Sequence, residues 1–145
     1  MSHPRKRARR AAVQALYQWS LTQHDIGTIE RQFEEEHSGS KTDMEYFGEL
    51  LHQVAARLDE LEAAFTPYLD RPVDELGPVE RAILRMATYE LAHRLDVPYR
   101  VVINEAVDLA KIFGAQDSHK YINGVLDKVA QDLRAVEIAA ARRSH

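Results

Sequence analysis

The 145 residues, 45% of them apolar, are enough for one domain with a hydrophobic core. The absence of cysteine excludes a disulfide framework and a thiolate metal site. At a formal charge of −4, any attraction for a polyanion has to come from charge that is placed rather than averaged.

Five cations, Arg5, Lys6, Arg7, Arg9 and Arg10, lie within six positions at the start. Pro4 fits the first turn of a helix, with Ser2 or His3 as its cap. Ala12, Val13, Leu16, Trp19 and Ser20 then form its buried stripe. At a helix amino terminus the dipole is already positive, so these cations add repulsion. Two readings stand: a site for a polyanion, whose phosphates match the arginine fork, and a frayed, solvated basic tail. Gln23 to Gly27 is a break, with Asp25 as cap of a short helix carrying Ile29 and Phe33. His37 to Lys41 has loop composition and is the most mobile internal segment expected. Thr42-Asp-Met-Glu45 matches a capping box, and a long helix with Phe47, Leu51, Val54, Leu58, Leu61 and Phe65 runs from it until Pro67.

Thr66 to Leu76 holds two prolines and reads as short helical turns. Gly77-Pro78 opens the central helix, whose apolar face includes Ala82, Ile83, Met86 and Leu91, with Glu80, Arg81, Arg85 and Glu90 as its polar strip. Ile103, Ala106, Ala110 and Phe113 mark the next helix, with Gly114 as a left-handed terminator. Asp117 or Ser118 caps the last helix, with Ile122, Val125, Leu126, Val129 and Leu133 as its stripe; Gly124 inside it implies a close helix approach. The tail after Ala135 has no cap and is expected to fray. The fold class is all-α, about seven helices in one domain over 1–145, with 1–4 and about 136–145 flexible. Val101 to Ile103 is the one run that could pass for a strand.

No catalytic residues emerge: there is no nucleophile with its base and no phosphate-cradling glycine loop. Asn104 and Glu105 read as satisfying backbone amides at a helix start rather than as catalytic groups. The seven histidines lack ligand spacing, so no metal and no cofactor are expected. No apolar run approaches bilayer length and no signal-peptide core follows the basic start, so no membrane association and a cytoplasmic location are expected. The connection Phe113 to Tyr121 joins two aromatics, polar groups and free helix amides, which suits phosphate contact and base stacking. Singly, Phe113 also reads as core, Asp117 as a cap and Tyr17 and Tyr121 as amphipathic residues.

Arg-rich start, Ala12-Val-Gln-Ala-Leu-Tyr-Gln-Trp19, Leu84-x-x-Ala-x-Tyr-Glu-Leu91, Asp96-Val-Pro-Tyr99, Ile103-Asn-Glu-Ala106 and Ser118-His-Lys-Tyr-Ile-Asn-Gly-Val-Leu-Asp-Lys128 occur in this order. Together they resemble the NusB family of bacterial transcription antitermination factors. The resemblance implies an all-helical fold of two packed halves. It implies binding of single-stranded boxA RNA of ribosomal RNA leaders, as a heterodimer with the ribosomal protein NusE. It also implies participation in an antitermination complex with RNA polymerase and support of ribosomal RNA processing. By motif, Lys6, Arg9, Tyr17, Phe113, Asp117, Lys120 and Tyr121 would contact RNA, and Glu75 and Glu80 would face NusE. The alternative class is a helical adaptor that binds only proteins.

Overall fold

The structure, a computed structural model, describes residues 3–22 and 24–143. Ser2, one of the two expected caps, Gln23 of the expected break, and Ser144 and His145 of the tail lie outside them. The described residues form eight α-helices: α1 (His3–Thr22), α2 (Ile26–Glu36), α3 (Met44–Ala56), α4 (Leu58–Phe65), α5 (Pro78–His93), α6 (Tyr99–Phe113), α7 (Ser118–Leu133) and α8 (Ala135–Arg143). Two 3-10 turns, Thr66–Tyr68 and Val73–Glu75, fill the proline-bearing stretch. No strand occurs among the described residues, and Val101 to Ile103 lies inside α6. The chain divides into two compact units, Met1–Leu58 and Asp59–His145.

In the first unit, α1 packs on α2 and α3. Ala8, Ala11, Ala12 and Ala15 are all buried on α1, small enough for a neighbouring helix to approach closely. Asp25 caps α2 as expected, its carboxylate accepting from the amides of Gly27 and Thr28. Phe33 and Phe47 stack with centroids 5.6 Å apart, and burial of such a ring contributes roughly 1.5–3 kcal/mol. The expected capping box is not formed. Asp43 occupies the cap of α3 and accepts from the Tyr46 amide, while the Thr42 hydroxyl turns to the His37 ring, 3.2 Å away. The expected long helix is also interrupted: Arg57 leaves helical geometry (φ −119°, ψ 24°) and separates α3 from α4.

In the second unit, α5, α6 and α7 pack on one another. Pro78 stands in the first turn of α5 after Gly77, as the sequence implies. From Ala82 to Leu91 every residue of α5 is buried except Arg85. Glu90, expected on the polar strip, is therefore inside at 1% exposure, whereas Arg85 pairs with Glu62. The uncapped tail owes its helix α8 to a side chain at its threshold. Arg134, 3% exposed, donates to the carbonyls of Glu90, Leu91 and Arg94 at the end of α5, at 3.1, 2.7 and 3.0 Å. It also meets Glu137 on α8, whose other oxygen accepts from the Tyr99 amide at the start of α6, 3.0 Å away. One ion pair thus satisfies the carboxyl end of α5 and the amino end of α6, with each charge on the favourable side of a helix dipole.

Two glycines differ from expectation. Gly114 is extended (φ −88°, ψ 172°), not left-handed. It is glycine because a Cβ there would lie 2.2 Å from the Ser118 hydroxyl and 2.7 Å from the Ala110 carbonyl. Gly124 is exposed, and a Cβ on it would meet nothing within 4 Å, so no helix approaches it. Gly124→Ala is therefore expected to stabilise the chain by about 0.5–1 kcal/mol, read as a higher urea midpoint at unchanged slope.

Candidate nucleic-acid interface

The two stretches singled out in the sequence fall in different units. On α1 the cations are not equivalent. Arg5 and Arg9 both sit over the ring of Tyr46, at 4.1 and 5.5 Å from its centroid, and Arg9 is 1% exposed. Arg9, an RNA contact by the resemblance, has its stem on the face of α1 that carries the alanines, and a tyrosine face holds its guanidinium by cation–π attraction. Lys6 is half-buried, and Arg7 and Arg10 are exposed. Tyr17 is 38% exposed. The Pro4 carbonyl accepts from the Asp43 amide at 3.0 Å, which ties the basic end of α1 to the start of α3.

In the second unit, the α6–α7 connection gathers Phe113, Asp117, Lys120 and Tyr121. Phe113 is half-buried rather than core. Asp117 precedes α7 but does not cap it: its backbone is left-handed (φ 66°, ψ 3°) and its side chain makes no capping bond. Its carboxylate instead lies 3.5 Å from the Lys120 ammonium. Asp117 is the one non-glycine with positive φ among the described residues. Aspartate is among the few residues besides glycine that enter this region readily. The Ser118 hydroxyl beside it is buried without a protein hydrogen bond.

Sequence reasoning missed Asp70 and Arg71. Tyr121 donates its hydroxyl proton to the Asp70 carboxylate (2.9 Å) and accepts from the Asp70 amide (3.1 Å). Arg71 pairs with Asp70 through Nε at 2.7 Å and Nη2 at 3.0 Å, and its guanidinium covers the Tyr121 ring at 5.3 Å. The Arg71 guanidinium, and then the Tyr121 hydroxyl, hold the Asp70 carboxyl down to about 2, while burial pushes the Tyr121 phenol up. A folded-state pKa below the ordinary 3.8 means that Asp70 stabilises the fold above about pH 4, and that this contribution is lost as pH falls towards 2. In a carbon-13 titration the Asp70 carboxyl should show its midpoint near pH 2, moving up towards the ordinary value in Arg71→Ala and less far in Tyr121→Phe.

Glu75 is exposed on the second 3-10 turn. Glu80 is half-buried in the first turn of α5, with its carboxylate 3.5 Å from the Ala115 amide, so it braces the α6–α7 connection from below. No group of three or more acidic or histidine side chains is placed to hold a metal ion among the described residues. No described helix is long and apolar enough to cross a membrane. The chemistry available at the two stretches is cationic attraction, aromatic faces and one oriented carboxylate.

Residues 6–131 match the model of the NusB family. A transcription antitermination protein NusB from Teredinibacter turnerae is 57% identical over 139 residues, 95% of each chain. Its namesake from Edwardsiella ictaluri is 55% identical over 130 residues, 90% of this chain and 94% of that one. Among solved structures, T. maritima NusB superposes with a TM-score of 0.78 at 33% identity, over 90% of this chain and 93% of its own. A crystal structure of antitermination factors NusB and NusE in complex with dsRNA superposes with a TM-score of 0.82 at 29% identity, over 91% of this chain and 99% of that one.

Proposed function

The chain belongs to the NusB family, and from that membership we propose that it is a non-catalytic transcription antitermination factor that binds RNA together with NusE. The RNA is the boxA element of ribosomal RNA leaders. The complex helps RNA polymerase read through terminators and supports ribosomal RNA processing, in the cytoplasm. The observation that carries the reading is the likeness, over nearly the whole chain, to a NusB in complex with NusE and RNA.

Lys6, Arg7 and Arg10 on α1 supply phosphate attraction, and Tyr17 a stacking face. In the second unit, Phe113, Asp117, Lys120 and Tyr121 contact the RNA, with Asp117 as acceptor for a base. Arg9 contributes by holding Tyr46 and the start of α1 rather than by touching phosphate. Glu75 and Glu80 face the basic ribosomal protein. The strand is unpaired where it stacks on the exposed Tyr17 ring.

A protein-only adaptor is the second reading. It is favoured by the engagement of Arg5 and Arg9 with Tyr46, which buries Arg9 and leaves Arg5 half-buried. An anisotropy titration of labelled single-stranded boxA RNA, scrambled RNA and duplex RNA, with and without NusE, separates the readings. The antitermination reading predicts tightest binding to single-stranded boxA in the presence of NusE. No affinity for any RNA in either condition selects the adaptor.

A further inference from the structure

Three helices of the second unit enclose a cleft of about 380 Å³ that the RNA reading does not use. Its α7 wall presents Asn123, Asp127 and Gln131, each four residues from the next and hence on one helix face. Asn104 of α6 faces into it, not towards backbone amides as its sequence position implied, and Ile103 and Ile138 give it an apolar floor. Tyr99 and Arg100 at the start of α6, with the guanidinium 5.4 Å from the Tyr99 ring centroid, and Arg142 at the end of α8 complete the lining. Asn104, Asn123, Asp127, Gln131 and Arg142 make no side-chain hydrogen bond or ion pair to another described residue. A smaller cleft of about 220 Å³, lined by Gln131, Ala135, Ile138, Ala139 and Arg142, continues it along α8.

Gly124 is the second observation. It stands beside Asn123 on α7, exposed, with open space where its side chain would be. The fold gains nothing from glycine here, and a helix interior loses about 1 kcal/mol by it. A bare helix surface is, however, what a second polypeptide backbone needs in order to come close.

We propose that this α6–α7–α8 cleft binds an extended, acidic protein segment. Three carboxamides supply donors and acceptors to a main chain, and Asp127 accepts a further amide proton. Ile103 and Ile138 seat one aliphatic side chain. Arg100 and Arg142 pair with acidic side chains on either side of it. A phosphodiester linkage fits less well, because it offers Asp127 no N–H to accept, whereas a peptide main chain does.

The probe is a phage-displayed library of random dodecapeptides, selected on the full chain and counter-selected on Gly124→Leu and Arg142→Glu. The expected result is enrichment of sequences with Asp or Glu flanking an aliphatic residue. Synthetic versions should bind the wild type at least tenfold more tightly than either variant, and should shift amide resonances of Asn104, Asn123 and Gln131. Both variants should keep the wild-type melting temperature or better, and unchanged RNA affinity with NusE, so failure here is distinct from failure of the RNA reading. No enrichment over the variants, enrichment of basic sequences, or displacement of the peptides by a hexauridine oligonucleotide acting at the same resonances would overturn the proposal.

Discussion

Arg134→Ala is expected to destabilise the second unit by about 1–3 kcal/mol, the range for a buried acceptor left unsatisfied, because the Glu137 side chain is 35% exposed and keeps water when its partner is removed. The guanidinium is 3% exposed and serves three carbonyls and one carboxylate. Alanine would leave the Leu91 carbonyl without that donor, at about 1–3 kcal/mol for a buried group left unsatisfied, whereas the Glu90 and Arg94 carbonyls keep the Arg94 and Val97 amides. Glu137 would lose the partner that orients it towards the Tyr99 amide. Arg134→Lys keeps the charge but cannot fork, so it should recover only part of the loss. Urea unfolding of the two variants and of Glu137→Gln checks this. Because this pair joins the start of α8 to α5 and α6, amide exchange in Ala135–Arg143 should accelerate in all three.

Tyr17→Ala should weaken binding of boxA RNA, in the presence of NusE, by about 1–3 kcal/mol, or about 5- to 150-fold, the value of one base stacked on an aromatic side chain. At 38% exposure the ring is an exposed surface of α1, and its loss should leave the melting temperature nearly unchanged. Phe113→Ala should lose a comparable amount of affinity but also some stability, since that ring is half-buried. Asp117→Asn keeps size and backbone tolerance and removes only charge. It should therefore erode the preference for boxA over scrambled RNA more than it weakens binding overall.

Much of the fold was legible because its signals are local. Asp25 reaches amides two and three residues on, and Pro78 enters a helix after Gly77. What escaped depends on contacts distant in sequence. Arg134 finds its carbonyls 40 to 44 residues away, so an apparently uncapped tail becomes a held helix. The break at Arg57 involves neither glycine nor proline. Asp43 displaced Thr42 as cap because the Thr42 hydroxyl is taken by His37. At the candidate site, charge and aromatic composition located α1 and the α6–α7 connection. The same composition could not separate a guanidinium over Tyr46 from one in solvent, nor place Asp70 beside Tyr121, 51 positions away.

The central proposal is that Lys6 of α1 and Lys120 of the α6–α7 connection each neutralise a phosphate of the bound RNA. The salt dependence of boxA binding by the NusE complex tests it most directly, in wild type, Lys6→Ala, Lys120→Ala and the double variant. Each lysine that neutralises a phosphate on a single strand should lower the slope of log K against log salt by about 0.7, and the double variant by about 1.4. A slope and affinity unchanged by a single substitution would contradict the phosphate contact proposed for that lysine.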